Sequence, residues 1–121
     1  MAPQKPAVLI VEDEPLIRFS TLDALEDVGH LVFEAGNADE AMVLFRNHDE
    51  IGVLFTDVDM PGSIDGIQLA RRIRAIRPSM AIIITSGVVN LDPALLPANT
   101  IFLPKPYQHD ALLTAIYELA A

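Results

Sequence analysis

Residues 53–61 read Val53-Leu54-Phe55-Thr56-Asp57-Val58-Asp59-Met60-Pro61. A short apolar run ends on a polar residue and passes straight into two acids and a proline. The runs at 7–11, 31–35, 81–85 and 100–103 have the same shape. Each is rich in Val, Ile, Leu or Phe and polar only at its end, the pattern of strands buried on both faces. Segments with helical spacing separate them. Ile17, Thr21, Ala24, Leu25 and Val28 recur on one face before Gly29, a natural stop. Asn37 with Glu40 has the form of a capping box ahead of Ala41, Leu44 and Phe45. Leu69, Ile73 and Ile76 form a stripe that Pro78 closes, and Leu112, Ile116 and Leu119 form the last. The fourth segment, 88–99, holds Pro93 and Pro97 and has room only for a short or irregular element. This alternation predicts an α/β fold, a five-stranded parallel sheet with helices on both faces.

The rest of the composition bounds the function. A chain of 121 residues, 51% hydrophobic, is expected to be one domain spanning 1–121, with no output domain. Eight basic against 17 acidic residues give a net charge of −9, which disfavours nucleic acid as a partner. Cys is absent, so disulfides, thiolate metal sites and cysteine nucleophiles are excluded. No apolar run is long enough to span a bilayer, and no signal-peptide core follows Met1. The expectation is a cytoplasmic, acidic protein without a membrane partner.

In an open parallel sheet, ligands bind beyond the carboxyl ends of the strands. Those ends carry Glu12-Asp13, Asp57-Val58-Asp59, Thr85-Ser86-Gly87 and Pro104-Lys105-Pro106. Carboxylates gathered there repel by about 4 kcal/mol per pair roughly 4 Å apart at an effective dielectric of about 20. A cation relieves that repulsion, and an all-oxygen set without Cys or His suits Mg²⁺. Carboxylates at a metal with a lysine opposite are arranged to receive a phosphoryl group, with Asp as nucleophile.

The blocks Val8-Leu9-Ile10-Val11-Glu12-Asp13-Glu14, Thr56-Asp57-Val58-Asp59-Met60-Pro61, Ile84-Thr85-Ser86-Gly87 and Leu103-Pro104-Lys105-Pro106 resemble the four signatures of response-regulator receiver domains. The resemblance covers nearly the whole chain and implies a flavodoxin-like sheet of order 2-1-3-4-5. It implies that Asp57 is the phosphoacceptor and that Glu12 and Asp13 are the acidic pair at Mg²⁺. Asp59 falls where a backbone carbonyl reaches the metal. Ser86, in competition with Thr85, matches the hydroxyl that meets the phosphoryl oxygens, and Lys105 matches the family's lysine. The Lys105-Pro106 bond is implied to be cis. The implied function is a two-component signalling switch, phosphorylated by a histidine kinase or phosphotransfer protein. It would catalyse only its own phosphorylation and dephosphorylation, and would act on a downstream protein or in a phosphorelay. A weak homodimer is compatible with it.

The chain departs from the pattern at three places. Glu12 stands where many members have Asp, Gly62-Ser63-Ile64 is one residue longer than usual, and the fourth helix is curtailed. A second reading takes Asp57 and Asp59 as the Asp-x-Asp of a haloacid-dehalogenase-type phosphatase. Its metal-binding acids would then be expected late in the chain, where only Asp110 and Glu118 stand. A flavodoxin-like cofactor binder lacks its phosphate loop after the first strand. Among other residues, Arg71, Arg72, Arg74 and Arg77 read as a solvated helix face. His30, His48 and His109 read as surface residues. Phe102 resembles the family's rotamer-changing aromatic, and Leu113 and Tyr117 are expected to face outward.

Overall fold

The strand that opens the sequence reading, β3 (Ile51–Asp57), is the middle strand of a five-stranded parallel sheet in the computed structural model. The structure describes residues 5–62, 64–87 and 91–120. In chain order the other elements are β1 (Ala7–Val11), α1 (Pro15–Asp27), β2 (Val32–Ala35), α2 (Ala38–Asn47), α3 (Gly66–Ile76), β4 (Ala81–Ser86), β5 (Thr100–Pro104) and α4 (His109–Ala120). The sheet order is β2-β1-β3-β4-β5, as the resemblance implied. Between β4 and β5 the only regular piece among the described residues is a 3₁₀ turn at Pro93–Leu95. The two prolines leave no space for a full helix. Ser63 and residues 88–90, part of the anticipated loop and irregular segment, lie outside the described residues.

Alternation along the strands builds two cores. Leu9, Val11, Leu54, Ile82 and Ile84 pack under α2 and α3 through Phe45, Leu69 and Ile73. Val8, Ile10, Val53, Phe55 and Ile83 pack under α1 and α4 through Leu25, Leu112 and Ile116. Helix ends follow local chemistry. Gly29 closes α1 at φ 97°, a conformation glycine adopts without steric cost. The Asn37 side chain accepts from Glu40 N–H at 2.9 Å, but Glu40 reaches back to Gly36 N–H rather than to Asn37 N–H. The complete capping box is at Asp65 and Gln68, where sequence reading did not place one.

Several expectations are corrected. Burial on both faces holds for the inner strands β1, β3 and β4, apart from half-buried Gly52. In β2, Val32 and Phe33 are half-buried and Glu34 is exposed, and β5 is half-buried up to exposed Pro104, because an edge strand has one neighbour. Leu31 falls outside β2, and β3 starts two residues before the apolar run, taking in Gly52. Ile76 is exposed. The place one turn beyond Ile73 belongs to Arg77, whose guanidinium lies 4.6 Å over the Phe45 ring. Three of the four arginines are also tied to main-chain carbonyls. Arg71 reaches Leu95 O at 2.5 Å, Arg74 reaches Asn99 O at 3.3 Å, and Arg77 reaches Ile51 O. The histidines are half-buried with partners: His30 on Pro6 O, His48 against Phe33, His109 on Ser20 Oγ. Leu113 is half-buried against the α1/α4 core, whereas Tyr117 faces outward. The Lys105-Pro106 bond is cis.

Candidate functional site

The carboxyl ends of β1, β3 and β5 bring together acids and a lysine that are far apart in sequence. Glu12 follows β1, and its N–H is held by Ala35 O at 3.0 Å, which fixes the backbone where the strand ends. Asp57 is the last residue of β3, in register with Thr85. Lys105 follows β5, with its N–H on Ser86 O at 2.9 Å. From there its ammonium Nζ lies 2.8 Å from Glu12 Oε1 and 2.7 Å from Asp57 Oδ2. Asp57 Oδ1 accepts from Asp59 N–H at 3.3 Å, and Glu12 Oε2 from Glu14 N–H at 3.2 Å.

Glu12 and Asp57 are buried, and Asp13 is exposed at the rim. Carboxylate oxygens of the three lie within 4.8 Å of one another. Burial raises the Glu12 carboxyl above its usual range and the neighbouring Asp57 charge adds to this, against the pull of Lys105 and Glu14 N–H. Burial works against the Lys105 ammonium, but its bonds to Asp57 and Glu12 outweigh that and raise it. Three carboxylates therefore face one ammonium. The charge imbalance, the all-oxygen donors and the open side at Asp13 fit a hard divalent cation.

The remaining sequence candidates fall into place around this cluster. Asp59 is exposed and its carboxylate is outside the cluster. Thr85 and Ser86 are both buried, at 2% and 1% exposure, so burial does not separate them. Thr85 Oγ1 has no hydrogen-bond partner among the described residues. Sequence reading missed the cleft of about 550 Å³ beside Lys105, walled by Leu16, Thr21, Pro106 and Tyr107. Tyr107 bonds Thr21 Oγ1 at 2.7 Å and meets Phe55 edge-on, and burial raises its phenol. Its only signal in the sequence was an aromatic two residues after the lysine.

A family model described as "Response regulator receiver domain" matches residues 8–117. The sensor kinase CckA of Brucella abortus (strain 2308) is 35% identical over 116 residues, 93% of this chain but 12% of that protein. The chain thus spans about an eighth of the kinase. A response regulator receiver protein from Sinorhizobium medicae WSM419 superposes with a TM-score of 0.88 at 30% identity, covering 94% of this chain and 93% of that one. The Thermotoga maritima response regulator protein TrrA, solved in complex with Mg(2+)-BeF, superposes with a TM-score of 0.81 at 25% identity, covering 94% and 98%. The haloacid-dehalogenase reading is not favoured: none of these three is a phosphatase by name, and the acids joining Asp57 come from the first strand rather than late in the chain.

Proposed function

The chain belongs to the response regulator receiver domain family, and on that footing we propose that it is a phosphorylation-controlled switch whose phosphoacceptor is Asp57. The observation that carries this is the buried Asp57 carboxylate, 2.7 Å from Lys105 Nζ and within a cluster of acids at the strand ends. An Asp57 oxygen attacks the phosphorus of a phosphohistidine on a histidine kinase or phosphotransfer protein. The P–N bond breaks as the P–O bond forms, and the imidazole leaves. Lys105, already paired with Asp57, shifts its ammonium to the transferred oxygens, and Ser86 supplies a hydroxyl to them. Mg²⁺, held by Glu12, Asp13 and Asp57 with the Asp59 carbonyl, would screen the negative charge that otherwise opposes the approach. Water later hydrolyses the acyl phosphate and restores the carboxylate. The phosphorylated side chain carries about −1.5 to −2 where the carboxylate carried a single negative charge, and that added charge with its phosphoryl oxygens is the signal, read by a protein partner or passed on in a relay. No described helix is long and apolar enough to cross a membrane, and we place the switch in the cytoplasm with its donor kinase.

Intact-mass measurement with acetyl phosphate and Mg²⁺ tests the assignment. The wild type is expected to gain one phosphoryl group and Asp57→Asn none; undiminished uptake by the variant overturns it. Millimolar Mg²⁺ is expected to raise the melting temperature of the wild type but not of Asp13→Asn, by binding only the folded site.

A further inference from the structure

Asp57 is the last residue of β3, and two elements behind it converge on its main-chain carbonyl. Thr56 is fully buried, and its hydroxyl donates to Asp57 O at 2.9 Å. Gly66, the first residue of α3, lies so close that a Cβ there would stand 1.8 Å from Asp57 O and 3.0 Å from Thr56 Oγ1. Its N–H closes the loop on Val58 O at 2.9 Å. By strand alternation the Thr56 and Asp57 side chains point to opposite faces. The contact is thus made behind the carboxylate.

We propose that Thr56 and Gly66 form a clasp on the Asp57 carbonyl that aims the Asp57 carboxylate, which makes Thr56 a positioning residue for phosphoryl acceptance. The proposal rests on the reading of Asp57 as acceptor. The physical basis is the peptide unit joining Asp57 to Val58. If its carbonyl loses the Thr56 hydroxyl, it is a buried acceptor short of a partner, and the unit turns to find one. Rotation there carries Asp59 N–H, which holds Asp57 Oδ1 at 3.3 Å, and swings the carboxylate away from Lys105. Gly66 completes the arrangement on the other side by leaving room for the carbonyl, since the Cβ of any other residue would stand 1.8 Å from its oxygen and displace it. Thr56 itself has no place at the reacting atoms.

The test compares phosphorylation rates of wild type, Thr56→Ser, Thr56→Val and Thr56→Ala at one acetyl phosphate concentration and saturating Mg²⁺, with melting temperatures alongside. Valine keeps the shape and serine keeps the hydroxyl, so the pair separates packing from aim. Since misplacing a reacting group by about 1 Å can cost about 10²-fold, Thr56→Val and Thr56→Ala are expected to be slower by about tenfold or more and Thr56→Ser to stay within about twofold of wild type. The proposal is overturned if Thr56→Val reacts at the wild-type rate whatever its melting temperature, or if Thr56→Ser is as slow as Thr56→Val. Thr56→Ala keeps the test open should valine not fold. A wild type that takes up no phosphoryl group at all overturns the acceptor reading, and the clasp with it.

Discussion

Two crossovers leave the same strand-end region and cover the same face of the sheet by different means. Between β3 and β4 the chain makes α3, eleven residues with a full capping box and Leu69, Ala70 and Ile73 wholly buried. Between β4 and β5 it makes a three-residue 3₁₀ turn, with Leu91 and Leu96 half-buried at the margin of the core and Leu95 exposed. α3 holds itself by apolar burial. Among the described residues of its neighbour, Leu95 O and Asn99 O are bonded from α3, by Arg71 and Arg74. The first crossover starts against Asp57 and the second follows Ser86, so a charge placed between them is expected to move the described residues 91–99 more readily than α3.

The largest expected effect tests whether burial is what sets them apart. Ile73→Ala is expected to cost about 2–5 kcal/mol of stability, as for a fully buried aliphatic side chain. Leu96→Ala is expected to cost less than about 1.5 kcal/mol, in proportion to the smaller apolar area it hides. Urea titrations of both variants check this, and equal costs would make the second crossover as much a part of the core as the first.

A smaller effect, about 1–3 kcal/mol of coupling, is expected from the switch itself. Hydrogen exchange with and without a beryllofluoride–Mg²⁺ mimic should show altered protection at 91–99 and at Phe102, which is half-buried against the α2/α3 core. A partner that binds one state more tightly then reads the shift in population. Changes confined to 66–77 would reverse the roles of the two crossovers.

How far this contrast was visible beforehand depends on the range of the interactions involved. The two prolines at 93 and 97 and the stripe at Leu69 and Ile73 act locally, so the sequence showed a curtailed element beside a full one. The strand ends were equally legible, since an apolar run that stops on Glu12, Asp57 or Ser86 marks its own terminus. What joins them was not. Lys105 meets Glu12 across 93 residues and Asp57 across 48, and only the strand order brings those ends together. The resemblance supplied that order; the apolar pattern alone did not. The arginines were read only in part for the same reason: Arg71 and Arg72 are exposed as expected, but Arg74 and Arg77 are half-buried, and the carbonyls that Arg71, Arg74 and Arg77 find belong to residues up to 26 positions away. The Asp65 cap was overlooked because it does not precede the stripe by the usual count. The stripe that matters begins at Ile67, and Ile76 is outside it.

The smallest expected effect concerns those arginines. Arg71 bonds Leu95 O from an exposed position, where a charged donor gives up little by returning to water, so Arg71→Ala should lower stability by less than about 1 kcal/mol. Arg74→Ala should be nearly as mild. Its Nε is buried and finds no hydrogen-bond partner among the described residues, so removing the side chain also removes that unmet donor. The local effect is expected to be larger than the global one. The amides of Leu95 and Leu96 close the 3₁₀ turn onto Asp92 O at 3.0 Å and Pro93 O at 3.1 Å. Freed from Arg71, that turn has little buried surface to hold it, and both amides should exchange several-fold faster while those of α3 keep their rates. If Leu95 and Leu96 exchange at wild-type rates in Arg71→Ala, the turn holds itself, and the dependence of the second crossover on the first is disproved.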